Sequence, residues 1–177
     1  SEDDDVGEDD GLETVLEPAA WLSDDRIGMR APLLDDVAQA ASWFIGEDTG
    51  DLEAVRRALQ KREVIPWGRN PVITLVVIEL ASGRITGGVM ATRSSSGTCA
   101  LEVLVPESDP TRADTLRRVL GLVVPWLVDE VGVRTVVLDS PADDVALLAA
   151  ASGAAMVEAV RRRQHLLRPH GRVDLLQ

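Results

Sequence analysis

Residues 97–161 read GTCALEVLVPESDPTRADTLRRVLGLVVPWLVDEVGVRTVVLDSPADDVALLAAASGAAMVEAVR. The hydrophobic period along this stretch changes repeatedly. Alternation over 98–105 predicts a strand, and an acidic turn follows at 106–110. Leu116, Val119, Leu120, Val123, Leu127 and Val128 then recur at helical spacing, which predicts a helix over 111–130. Pro125 should kink that helix, because it removes one hydrogen bond and crowds the carbonyl four residues back. Gly132 is placed to stop it. Beyond it, 134–139 reads as a buried strand, 142–152 as a short Ala-rich helix closed by Gly153, and 155–161 as another strand.

Upstream, 72–80 is nearly continuous in β-branched and aliphatic residues, as expected of a central strand buried on both faces. A turn at 81–84 makes a hairpin into 85–92. Gly87 and Gly88 in that second strand mark a bulge or a close backbone approach. Earlier still come a short strand at 26–31, ended by Pro32, and a helix from 35 to 45 with Asp35 as N-cap. A second helix at 52–62 carries Leu52, Val55 and Leu59 on one face. At the other end, 164–168 and 172–176 are short strands joined by Pro169, His170 and Gly171. The order is β-α-α-β-β-β-α-β-α-β with a terminal strand. That is an α/β (α+β) arrangement: a mixed, mostly antiparallel central sheet with helices on both faces.

The 177 residues suit one domain with a sizeable core. One Phe and no Tyr leave that core to Val, Leu, Ala and Ile. The net charge of −12 is concentrated at one end. Residues 1–18 carry nine acids and no base, and the remainder carries 21 acids against 18 bases. The expected organisation is therefore an acidic, disordered tail over 1–18 and a single domain over 19–177. A docking role for the tail, on a basic partner or on the protein's own Arg-rich end, is the sharper alternative. Nucleic acid is disfavoured, since phosphate neutralisation needs a basic face. The single cysteine, Cys99, excludes an internal disulfide and reads as a small buried strand residue. No secretory signal or apolar run of spanning length is visible, so a cytoplasmic protein away from membranes is the expectation.

Several short patterns, in order, resemble the GNAT acetyltransferases, especially the branch of ribosomal-protein N-terminal acetyltransferases. They are Asp25-Arg26-Ile27-Gly28-Met29-Arg30, then Asp36-Val37, then Trp43; Arg84-Ile85-Thr86-Gly87 in the hairpin; and Gly153, Arg161 and Gly171-Arg172-Val173-Asp174 near the end. The resemblance covers roughly residues 20–176. It implies a GNAT fold, acetyl-CoA as cofactor, and transfer of an acetyl group to a small-molecule or protein amine. A homodimer is expected on base rate alone.

In that family the turn before the long helix grips the coenzyme A pyrophosphate with (Q/R)-x-x-G-x-(G/A). Glycines admit the backbone, and helix N-terminal N–H groups favour the anion. Here the three positions are Asp109, Arg112 and Asp114. All three depart from the pattern, which puts catalysis in question. One reading makes Asp109 and Thr111 helix caps, with Asp114 favouring the positive helix end. The other is a remodelled phosphate site of Thr111, Arg112 and Thr115, with Leu104 and Val105 on the adjoining strand. The family's Asn and Ser at the last helix would fall on Ala142 and Val145, and the Tyr that often serves as general acid has no counterpart.

For catalysis, Glu102 is the candidate base, on the strand beside the cofactor splay. Ser140, with Asp139, ends a parallel-type strand where ligands often bind. No metal site is expected. His165 and His170 read as surface residues, and the Arg161–163 run should present at least one side to solvent or to an acidic partner. Two functions stand side by side: a GNAT acetyltransferase-like protein, or a GNAT-fold binding or assembly module without catalysis. A docking protein acting through its tail is a third.

Overall fold

The structure is a computed structural model of the chain and describes residues 22–36, 72–94 and 97–177. Six strands form the main sheet, in sequence order: β1 (Leu22–Ser23), β2 (Ile27–Arg30), β3 (Val72–Glu79), β4 (Ile85–Arg93), β5 (Thr98–Leu104) and β6 (Thr135–Leu138). Neighbours are antiparallel except β5 and β6, which run parallel. The crossover between those two is helix α1 (Arg112–Asp129). A smaller sheet contains β7 (Ser140–Pro141), β9 (Gly171–Leu176) and β8 (Arg161–Arg168), in that spatial order. Helix α2 (Val145–Gly153) lies between β7 and β8 in sequence.

The period-2 alternation of β3 divides the core. Ile73, Leu75 and Val77 point to the face that packs on α1, where Leu116, Val119, Leu120, Val123 and Leu127 are buried. Val76, Ile78, Ile85 and Met90 cluster on the opposite face. The strand is thus buried on both sides, as its unbroken aliphatic run requires. The two helices expected at 35–45 and 52–62 fall almost wholly outside the described residues, as do Val37, Trp43 and the acidic 1–18 segment. Of that region only a 3-10 turn, Leu34–Asp36, is described.

Asp36 explains one of the sequence patterns. Its carboxylate accepts two hydrogen bonds from the Arg30 guanidinium, at 2.6 and 2.9 Å, and a third from the Leu33 amide at 2.7 Å. Both side chains are largely shielded from water. The pair locks the end of β2 to the turn that follows it. On the other side of the sheet edge, Arg118 of α1 reaches Asp24 and Asp25 at 2.7 and 2.9 Å, and so ties the β1–β2 turn to the helix.

Gly87 bears out the expectation of close approach. A Cβ there would stand 2.5 Å from the Leu104 carbonyl oxygen and 3.0 Å from a Val105 methyl. The register irregularity between Val77 and Ile78 falls opposite the same stretch of β4.

Two expectations at the C-terminal side are corrected. The strand predicted over 155–161 begins only at Arg161 and runs to Arg168, with a register shift against β9 between Arg162 and Leu166. The exit from α2 is also two residues later than Gly153 suggested. Ala155 takes the left-handed turn (φ 60°), while the Met156 amide bonds back to the Ala151 carbonyl at 3.0 Å. That closure uses the 6→1 geometry in which glycine is usual, and it displaces the chain before pairing resumes. Val157 is 83% exposed as a result, whereas Ala159 and Val160 bond to Gln177. Of the Arg161–163 run, all three are exposed, and Arg161 finds its acids inside the fold, in Glu158 and Asp174.

Gly87→Ala is expected to lower unfolding free energy by about 2 kcal/mol, since the blocking atom is a backbone carbonyl that cannot rotate away. Asp36→Ala should cost about 3 kcal/mol, because it removes the carboxylate that a shielded guanidinium pairs with. Urea denaturation of each variant checks both values.

Candidate functional site: the cleft between parting strands

The parallel pair β5–β6 is short. Thr98, Cys99, Ala100 and Leu101 face Thr135, Val136, Val137 and Leu138, and there the register ends. β5 continues to Leu104 while the other chain turns away through Asp139. A cleft of about 420 Å³ opens between the diverging backbones. Alternation along β5 sends Cys99, Leu101 and Val103 to the core and leaves Glu102 and Leu104 exposed. Glu102, Leu104, Val105 and Arg112 all line the cleft, together with Asp139 and Asp144.

Thr111 and Thr115 stand beside it in the turn and the first helical turn. The turn is self-contained. The Asp109 carboxylate accepts the Thr111 amide at 2.9 Å and the Thr111 hydroxyl at 2.7 Å. Burial pushes the Asp109 carboxyl up, and the two Thr111 hydrogen bonds and the Arg84 charge outweigh it, so the group lies below its ordinary value. Thr111 is therefore the residue at the cap position, but its side chain turns back to Asp109 and makes no cap hydrogen bond. Asp114 acts as expected of an acid in the first turn, held by Arg117 and Arg118 at 2.7 and 2.8 Å. Thr115 is buried.

Arg112 crosses the cleft. Its Nε donates to the Val105 carbonyl at 3.0 Å, and its two terminal nitrogens donate to the two oxygens of Asp144, each at 2.8 Å. Asp144 also caps α2 by accepting the Leu147 amide at 3.1 Å. The side chains of this pair are 16% and 10% exposed. Burial pushes the Asp144 carboxyl up; the Arg112 hydrogen bonds, the Leu147 amide and the Arg112 and Arg168 charges together hold it below its ordinary value. The bonds to Asp144 raise Arg112. Both groups are charged near neutrality.

Ser140 belongs elsewhere. Its side chain is buried, its hydroxyl donates to the Pro141 carbonyl at 3.1 Å, and it lines a second cleft of about 790 Å³ between α1, β6 and the 154–159 segment. Ser140 and Glu102 are thus not brought together. Cys99 is fully buried, and burial pushes its thiol up to about 11, which removes it as a nucleophile at neutral pH. His170 sits 3.4 Å from Asp143 at the surface. Asp144, which also caps α2, is a cleft residue that the sequence reading did not single out. Its signal was the absence of glycine at 112: an arginine there needs an acid, and Asp144 supplies it from 32 residues away.

The turn's Thr111 and Arg112 are thus engaged within the protein: the Thr111 hydroxyl and amide serve Asp109, and Arg112 holds the Asp144 carboxylate in bidentate fashion.

The Asp144–Arg112 pair sets an acid limit on stability. The folded carboxyl lies below the ordinary 3.8, so its contribution is complete above that value and is lost as pH falls through the lower folded value. Asp144→Asn should therefore lower the melting temperature by a constant amount above about pH 5, and the gap should narrow below about pH 4. Melting curves of both proteins across pH 2.5–7 measure it.

No protein-family model matches the chain, and no curated protein sequence matches it. Solved structures do. A protein of Sphaerobacter thermophilus named for an expected acetyltransferase activity is 26% identical, with TM-score 0.64, over 88% of this chain and 93% of that one. The GNAT-family acetyltransferase from Bacillus anthracis superposes with TM-score 0.65 at 8% identity, over 88% and 94%. The ribosomal-protein-S5-alanine acetyltransferase from Vibrio fischeri gives 0.64 at 12% identity, over 87% and 92%. With the strand order, the crossover helix and the parted parallel pair already in place, these matches identify the architecture: the chain has the fold of the GNAT acetyltransferases.

Proposed function

We propose that this protein is acetyltransferase-like in action, with the cleft between β5 and β6 as its working site, an acyl thioester of the acetyl-CoA type as its ligand and an amine as acceptor. The observation that carries the reading is the parting of the parallel pair after Leu101 and Leu138, which opens the cleft beside Glu102, Leu104 and Val105. Parted strands leave main-chain groups unpaired by the neighbouring strand, and such groups suit the amide-rich arm of a thioester carrier. Glu102 is exposed on the cleft wall and is the carboxylate placed to take a proton from an amine. Thr111 and Thr115 do not extend the site, since one is bonded to Asp109 and the other is buried.

A second reading is favoured by the Arg112–Asp144 pair. A phosphate grip already filled by an internal carboxylate is what a GNAT fold retained as a binding or assembly module would tolerate. An acidic arm over residues 1–18 and a homodimer are compatible with either reading.

Calorimetric titration with acetyl-CoA, followed by thiol release in the presence of a panel of primary amines, separates the two. Binding with amine-dependent release supports transfer, and Glu102→Gln should then lower turnover about 100-fold with little change in thioester affinity. Binding without release supports the module. No heat at millimolar acetyl-CoA removes the transferase reading.

A further inference from the structure

We propose that Asp144 determines ligand choice at this cleft: it stands in for the ligand's phosphate on Arg112, so that the site recognises an acyl thioester by its uncharged arm and gains nothing from a diphosphate. The inference rests on the acyl-thioester reading of the cleft.

Three observations converge. Among the described residues, Arg112 is the one cation lining the cleft, against Glu102, Glu107, Asp139 and Asp144. Both oxygens of Asp144 are matched to both terminal nitrogens of Arg112 at 2.8 Å, the fork-to-fork geometry with which arginine otherwise binds phosphate. The Nε–H is spent on the Val105 carbonyl at 3.0 Å, so three of the five guanidinium N–H groups, including the whole forked edge, are engaged within the protein. A diphosphate arriving at the turn therefore finds the forked edge of Arg112 already taken, and it approaches a cleft lined by Glu102, Glu107 and Asp139. To reach the arginine it would have to displace Asp144 from a shielded pair and from the cap of α2. The internal carboxylate needs no translational entropy to bind, so it wins over a free phosphate of equal contact quality.

The pair does more than staple the fold, and its two roles separate experimentally. Asp144→Asn keeps the oxygen that accepts the Leu147 amide and removes the charge. Acetyl-CoA and S-acetylpantetheine carry the same thioester arm, with and without phosphates. Affinities of the wild-type protein and of Asp144→Asn for each are measured by calorimetry, with circular dichroism melts to confirm folding. The wild type is expected to bind the two thioesters within about threefold of each other. Asp144→Asn is expected to bind acetyl-CoA at least tenfold more tightly than the wild type, on the order of one charge-assisted phosphate contact, with S-acetylpantetheine unchanged. That gain should fall with added salt, and it should vanish in the double variant Asp144→Asn/Arg112→Gln. A purely structural pair would change stability without changing the ratio of the two affinities.

Two results overturn the inference while leaving the acyl-thioester reading intact. One is wild-type protein that already prefers acetyl-CoA over S-acetylpantetheine by tenfold or more. The other is a variant that gains affinity for both thioesters equally. If neither protein binds either thioester, the acyl-thioester reading falls and the inference with it.

Discussion

The Arg112 guanidinium is the contact on which the site's shape depends. Three of its hydrogen bonds join parts of the chain that are otherwise moving apart: the end of β5, through the Val105 carbonyl, and the start of α2, through Asp144. Parallel strands share no turn, and here their ladder lasts only four residue pairs. Beyond that ladder nothing in the sheet fixes the distance between the two backbones. A shielded, bidentate ion pair does it instead, and such a pair is costly to break from one side only. Among the same three bonds, the two to Asp144 occupy the forked edge of the guanidinium. The definition of the cleft and the internal engagement of its arginine are thus one fact about one side chain.

How much of this was legible in the sequence follows from the range of the forces involved. Strand and helix positions come from periodicities that act within a few residues, and the long helix was readable to within one residue at each end. The burial of β3 on both faces was written in its unbroken aliphatic run. Gly87 was legible as a tight spot, though not the carbonyl that makes it tight. Local reasoning failed where a residue type was used against habit. Ala155 closes α2 in a left-handed turn although Gly153 stands two positions before it, and the following strand starts late as a consequence.

The site divides the same way. That the turn had lost its glycines could be seen from Asp109, Arg112 and Asp114 alone. What those residues do instead depends on partners distant in sequence. Asp109 was read as a cap and proves to be the acceptor for Thr111, with Arg84 nearby. Arg112, a phosphate partner in one of the two readings of the turn, is joined to an acid 32 residues on. Glu102 and Ser140, both drawn from one crossover unit, line different clefts because the chain passes at Asp139 from β6 of the main sheet to β7 of the smaller one. Spacing in sequence carried no information about that separation.

The short ladder between β5 and β6 also has a mechanical meaning. At its closed end the Arg134 amide bonds to the Gly97 carbonyl at 2.8 Å, and at its open end Arg112 meets Asp144. The two strands are therefore held like the arms of tongs, with a pivot at one end and a latch at the other. Helices α1 and α2 pack on one another beside this frame through Leu120, Leu147 and Ala150. A ligand that released the latch would free the start of α2, where Asp144 also holds the Leu147 amide. Amide hydrogen exchange in α2, far from the reacting end of a ligand, would then register how far the arms have opened.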